Sequence, residues 1–340
     1  MKLLTCVVPC YNSAAYMEIA VQSLLAGGDE MDILIVDDGS ADETGTIADR
    51  LTAEYPDIVR VHHQPNAGHG SALNHGIQTA RGLFFKVVDS DDRLDTSCLP
   101  QMLKRLRTCS ESGELPDLII HDYVYDTPTR QSAFRIAYRD AIPADRLLSW
   151  DETGRFHLWN QFMIHSMIYR TALLQEMDYR LPEHTFYEDN LYIYQPLPHT
   201  QKILYLPLPL YGYYVGRPDQ SINEGMILRR LDQMTGILTD MACSFTLSEL
   251  NRLSRHLRRY MMNYCAGQLM TVSSLQFIQN TEESHRMNRD MWQRIHDFDP
   301  ALYRHLRRHP LGFLSCLPGR AGENILIFFY RAGRKLIRLT

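Results

Sequence analysis

Long hydrophobic runs are missing: no stretch of the 340 residues approaches the ~18 apolar positions needed to cross a bilayer. The seven cysteines show no metal-ligand spacing and are odd in number, so they read as scattered thiols of a reducing compartment. No G-x-G-x-x-G follows the first apolar run, which removes a nicotinamide dehydrogenase. Repeats and low-complexity segments are absent as well. A net charge of −5 gives no general attraction to nucleic acid. The start, "MKLLTCVVPCYN", puts polar residues and a proline straight after a short apolar run. That is a first strand rather than a signal peptide, and the expected location is cytoplasmic.

What is present alternates. Apolar runs at 3–9, 33–37, 58–62 and 83–88 read as strands, separated by helical patterns at 13–25, 42–54 and 68–80. The strands are continuous Val, Ile, Leu and Phe rather than alternating, as in a parallel sheet covered on both faces. Strand, helix, strand, helix gives an open α/β sheet, whose ligands bind beyond the carboxyl ends of the strands. Polar clusters sit at those ends: "PCYN", "DDGSAD", "QPNAGHG" and "DSDD". Further on, "DLIIHDYVYD" reads as another strand. From Met226 the pattern turns helical, with a capping box at Thr246 and Glu249 and one apolar face through Leu250, Leu253, Leu257, Met261 and Tyr264. The division is placed at 1–222 and 223–340.

The stretch "FFKVVDSDD" runs a buried strand into Asp89, Asp91 and Asp92. Carboxylates so close repel one another and call for a compensating partner. Hard oxygen ligands at a strand end suit Mg²⁺ or Mn²⁺ completed by substrate phosphates. The plain alternative is a solvated acidic turn capping the helix that starts near Thr96. In "IVDDGSADET", Gly39 permits close backbone approach and Asp37 or Asp38 can accept hydrogen bonds from a base or ribose. There the plain alternative is a turn with Ser40 or Asp42 capping the helix. "QPNAGHGSALNHGI" offers small residues and helix N–H groups to an anionic substrate, or is merely a glycine-rich helix start.

P-x-Y-N at Pro9–Asn12, V-D-D-G-S-x-D-x-T at Val36–Thr44, N-x-G…A-x-N-x-G at Asn66–Gly76 and D-S-D-D at Asp89–Asp92 occur in this order. Together they resemble the family 2 glycosyltransferases of GT-A fold, densely over about residues 1–95 and more sparsely to about 222. The resemblance implies a mostly parallel open α/β sheet flanked by helices, with a helical C-terminal region. It implies that Pro9, Tyr11 and Asn12 line a nucleotide pocket, with Asp38 near the base and Asp37 or Ser40 close by. Asn66 and Gly68 would flank nucleotide or sugar, Asp89 would face the ribose or donor sugar, and Asp91 would hold the metal on the diphosphate. Asp189, in "YEDN", falls where the family places its catalytic base, with Glu188 as the fallback; an acid pair at a helix N-terminus is the plain reading. "GYYVGRPDQSI" resembles a loop closing over the donor, with Arg217 and Ser221 as contacts. The processive signature Q-x-x-R-W is absent.

The implied reaction is inverting transfer of a sugar, from a UDP-sugar by resemblance, to an acceptor hydroxyl on a saccharide or lipid-linked acceptor. The alternative is a nucleotide-sugar-binding or scaffold protein with a dead site. A sugar-nucleotide pyrophosphorylase would want a glycine-rich basic first loop, and "PCYNSAAY" is neither. His165 could line an acceptor cleft or be a buried, hydrogen-bonded histidine; His69 stays unassigned. Residues 301–340 hold seven Arg and Lys335 against Glu323, a net of +7. In "NILIFFYRAGRKLIRL" the cations interleave with apolar residues, which suits an anionic leaflet at the inner face of a membrane. Packing on the acidic catalytic domain, or against a second subunit, is the alternative.

Overall fold

In a computed structural model of the chain, residues 1–126, 134–157, 160–177, 179–215 and 223–337 are described, with side chains as far as Arg334. They fall into two units. The first comprises the described residues of Met1–Arg155, Phe162–Thr185 and His199–Arg217; the second, those of Phe156–Gln161, Phe186–Pro198 and Pro218–Thr340.

The first unit follows the expected alternation: β1 (Leu4–Cys10), α1 (Met17–Leu25), β2 (Met31–Asp37), α2 (Thr44–Glu54), β3 (Val59–His63), α3 (His69–Thr79) and β4 (Phe84–Val87). Next come β5 (Arg93–Leu94), α4 (Leu99–Ser112), β6 (Leu118–Asp126), β7 (Phe134–Ile136), β8 (Leu147–Leu148), β9 (Met167–Arg170), α5 (Thr171–Glu176) and β10 (Ile203–Tyr214). One sheet runs in the order β3-β2-β1-β4-β9-β6-β10-β5, with β7 on β6 and β8 on β10. The pairs β1–β2, β2–β3, β1–β4 and β6–β10 are parallel, while β9 enters antiparallel between β4 and β6. Every residue of β2 is buried, the apolar run Ile33–Val36 included, as a strand covered on both faces requires. Its one polar interior residue, Asp32, is satisfied by the Thr5 hydroxyl and the Arg60 guanidinium.

Two helices begin later than their patterns suggest, because side chains at the strand ends are engaged elsewhere. Ser13 is held in a turn: its N–H donates to Thr44 Oγ1, and its carbonyl accepts from Tyr16 and Met17. Asp42 accepts the Thr44 N–H at 3.0 Å, so α2 starts at Thr44 rather than Asp42.

The second unit is helical: α6 (Asp189–Tyr194), α7 (Glu224–Arg229), α8 (Leu231–Ala242), α9 (Leu247–Leu250), α10 (Arg255–Gln279), α11 (Glu282–Phe298), α12 (Pro300–Arg308), α13 (Pro310–Leu314) and α14 (Gly319–Ile337). The 25-residue α10 is its spine, packed on α8, α11, α13 and α14 through buried Leu257, Met261, Tyr264 and Leu269. The capping box at Thr246 and Glu249 forms, but it caps only the four-residue α9. Ser254 caps α10 separately, through the Leu257 N–H. Leu250 and Leu257 therefore belong to different helices, and the single apolar face expected through both is split.

Candidate active site

The four loops after β1, β2, β3 and β4 are bonded in a closed ring. In the first, Asn12 takes a left-handed φ of 50°; its N–H donates to Ser40 Oγ and its Oδ1 accepts the Ala41 N–H. The second loop holds the third through Asp38. Its Oδ1 accepts from Gln64 Nε2 and the Ala67 N–H, its Oδ2 accepts the Gly68 N–H, and its carbonyl accepts Asn66 Nδ2. The third loop reaches the fourth through His69 Nε2, 3.5 Å from Asp89 Oδ1. Ser90 Oγ closes the ring at 2.8 Å from Ser13 Oγ. Beside the second loop, Asp37 Oδ2 pairs with His63 Nδ1 at 2.9 Å. Burial pushes the Asp37 carboxyl up, but the hydrogen bonds from Ser40 and His63 outweigh it and hold the group below its usual range.

Two glycines make the ring possible. Gly39 has φ of 72°, and a Cβ there would stand 2.7 Å from the Asn66 backbone nitrogen. Gly68 has φ of 91°, and a Cβ would meet the His184 nitrogen at 2.9 Å. Gly39→Ala combines a left-handed backbone cost of ~1–2 kcal/mol with this clash, so a loss of about 2 kcal/mol or more is expected. Urea unfolding reads that loss, and donor affinity should fall in the same variant.

The acidic corner is divided among different tasks. Asp92 turns inward, accepting from Tyr211 Oη at 2.6 Å and the Tyr214 N–H at 2.7 Å. Burial, then the negative charges of Asp89 and Asp91, push its carboxyl up to about 9. Asp89 is also pushed up by burial, but the His69 imidazole beside it, with a smaller contribution from Lys86, leaves it below its usual range. Its N–H donates to Tyr211 Oη. Asp91 is half-buried. The capping task that an acidic turn might serve falls to Asp95, whose Oδ1 accepts the Ser97 and Cys98 N–H groups ahead of α4.

Asp89 and Asp91 fit a hard divalent cation: two half-buried carboxylates in one turn, whose charge already perturbs the neighbouring Asp92. Among the described residues no group of three or more His, Cys, Asp or Glu side chains is arranged to hold a metal ion. The turn thus supplies one or two carboxylates, the number that Mg²⁺ or Mn²⁺ sites take when substrate phosphates and water complete them.

Beneath the corner lies a buried layer that the motifs did not disclose. Lys86, fully buried in β4, donates to His121 Nε2 at 2.9 Å and to the His165 carbonyl at 2.7 Å. His121 Nδ1 donates to the Asp122 carbonyl, which leaves Nε2 as acceptor. The His165 ring stacks on Tyr211 and Tyr213, with Tyr123 against it edge-on. Burial lowers its imidazole to about 3, so it is a neutral core residue. Burial also lowers Lys86 to about 7. Above that pH the unfolded chain, titrating near ~10.4, binds the extra proton, so stability owed to Lys86 rises with pH. The unfolding free energy of the native chain minus that of Lys86→Met should grow by about 2 kcal/mol between about pH 7 and pH 9. Denaturant titrations at several pH values read it, and a flat difference would mean that Lys86 keeps its ordinary proton affinity in the fold.

In the second unit Glu188 and Asp189 open α6. Tyr187 before them has φ of 71°, a strained value for a bulky residue. Glu188 is buried, whereas Asp189 is half-exposed. Asp189 Oδ1 accepts the Asn190 N–H at 3.0 Å and Asn190 Nδ2 at 3.1 Å. Asn190 Oδ1 in turn accepts from Tyr264 Oη of α10. This fixes the Asp189 carboxylate while leaving it accessible.

The structure therefore gathers Pro9, Tyr11, Asn12, Asp37, Asp38, Ser40, Asn66, Gly68, Asp89 and Asp91 at one end of the sheet, joined through the ring. Tyr11 is 56% exposed there, a large aromatic face open to a ligand. Arg217 and Ser221 lie outside the described residues. Sequence reasoning missed Lys86, Tyr211, Ser13 and Ser90. The signal for Lys86 was a lone cation inside an otherwise apolar strand.

Residues 5–169 match the profile described as Glycosyl transferase family 2. EpsH of Bacillus subtilis (strain 168), which bears a glycosyltransferase name, is 30% identical over 215 residues, 61% of this chain and 59% of that protein. EpsJ of the same organism, also named as a glycosyltransferase, is 28% identical over 227 residues, 59% of this chain and 63% of that one. The chain thus spans about three-fifths of the length of these relatives. Among solved structures, S. aureus TarS 1-349 in complex with UDP-GlcNAc superposes with a TM-score of 0.69 at 19% identity, covering 100% of this chain and 92% of that one. That likeness bears on the fold, an α/β GT-A sheet with a helical C-terminal region. By the profile and these relatives, residues 5–169 carry a family 2 glycosyltransferase domain.

Proposed function

We propose that the protein catalyses single-step, inverting transfer of a sugar from a nucleotide-diphosphate donor, a UDP-sugar, to an acceptor hydroxyl in cell-surface polysaccharide or glycolipid assembly. The observation that carries this reading is the closed ring of four strand-end loops around the Asp89–Asp91 turn. TarS, on the same fold, holds UDP-GlcNAc and UDP.

In this reading Tyr11 presents its ring to the base, while Asn12 and Ser40 keep the first two loops together. Asp38 and Gly68 fix the third loop beside the sugar-diphosphate. Asp91, with Asp89, would hold Mg²⁺ or Mn²⁺, which when bound offsets the negative charge developing on the leaving diphosphate. Asp189 removes the acceptor hydroxyl's proton as that oxygen attacks the anomeric carbon; the alternative base, Glu188, is buried. A single base and an in-line attack invert the anomeric configuration. A lipid-linked acceptor and peripheral contact with the inner face of a membrane belong to the same reading, supported by the net +7 of residues 301–340.

A panel of sugar nucleotides with Mn²⁺ or Mg²⁺ tests it, scoring nucleotide release. One UDP-sugar should be turned over well above the rest, with the activity lost on chelation. Release from none of them sinks the reading.

A further inference from the structure

Helix α14 presents an apolar face outward. Phe328, Phe329 and Ile325 are 67%, 47% and 44% exposed, whereas Leu326 and Tyr330 of the same helix are buried. At 100° per residue, Ile325, Phe328, Phe329 and Ala332 share one stripe, and Leu326 with Tyr330 marks the opposite side that faces the unit's core. Arg320 and Arg331 are exposed and lie together on one flank, about 60–80° round the helix from Phe328. Among the described residues neither forms an ion pair with an acid. Glu323, the one acid of residues 301–340, is half-buried and lies 3.7 Å from His285 of α11. Arg334 is already paired with Glu224 of α7.

An ordinary soluble surface does not expose adjacent phenylalanines beside unbalanced cations. A second copy of this chain would answer the apolar stripe but would bring arginines against arginines. A surface that is apolar within and anionic without answers both. We propose that α14 docks in the plane of an anionic lipid leaflet, with Phe328, Phe329 and Ile325 in the acyl boundary and Arg320 and Arg331 at the headgroups. The proposal rests on the membrane contact named in the reading above and gives it residues; because binding is measured without turnover, its failure leaves the sugar-transfer reading standing.

The test is co-sedimentation of the full chain with phosphatidylcholine vesicles, with and without phosphatidylglycerol. The protein should pellet with the anionic vesicles, weakly or not at all with the neutral ones, and less as salt rises. Phe328→Ser combined with Phe329→Ser should weaken binding by tenfold or more, and Arg331→Glu by about tenfold. Unchanged far-UV circular dichroism in each variant confirms that the helices remain. Equal binding to both compositions, no binding to either, or indifference to the phenylalanine pair overturns the proposal. So does a dimer in solution that the same double replacement dissolves.

Discussion

Asp91→Asn is expected to abolish metal-dependent donor binding. The substitution keeps the shape of the side chain and removes one full negative charge from the turn where the diphosphate would be anchored. Asp92 cannot take over, because its oxygens are engaged by Tyr211 and Tyr214 and burial disfavours its charge. Asp89 is held by His69 and its own N–H is tied to Tyr211. Loss of the ion's charge stabilisation corresponds to several kcal/mol, so turnover should fall by about 10³-fold or more. Calorimetric titration with the donor reads the effect: native protein should bind more tightly with Mn²⁺ than with a chelator, and the variant should bind equally weakly in both. The native fold should survive, since Asp91 is only half-buried and removing its charge relieves repulsion on Asp92.

The second large effect separates binding from chemistry. Asp189→Asn should leave donor affinity intact while transfer falls by about 10²–10⁴-fold, the usual contribution of a positioned general base. The asparagine can still accept from Asn190, so α6 should keep its start. Glu188→Gln serves as the comparison, because Glu188 is buried. If Asp189→Asn turns over normally, the base is another group. If it loses donor binding as well, its role lies in assembling the site.

These two residues also show how much could be read in advance. The strand ends were legible because a sheet covered on both faces forces unbroken apolar runs, and a polar cluster that interrupts such a run marks where the chain leaves the core. The ring itself was not legible. Asp38 looks like a ligand-facing acid in "VDDGS", yet its carboxylate binds Gln64, Ala67 and Gly68, contacts up to 30 positions away. Asp92 looks equivalent to Asp91, yet Tyr211, 119 positions later, draws it inward. The repulsion in "DSDD" does call for compensation, and part of it is internal: His69 from α3 and Lys86 from the strand itself both lower the Asp89 carboxyl. No local pattern encodes those partners, because topology alone decides which distant strands become neighbours. In the helical unit the capping box forms but the single long helix expected after it does not, since four residues after a good cap the helix stops and Ser254 begins another.

The most direct measurement is a crystal structure with UDP and Mn²⁺, using anomalous scattering to locate the ion. One manganese peak is expected between the Asp91 carboxylate and the diphosphate, with the uracil at Tyr11. A diphosphate bound away from the Asp89–Asp91 turn, or a nucleotide seated there without any ion, would contradict it.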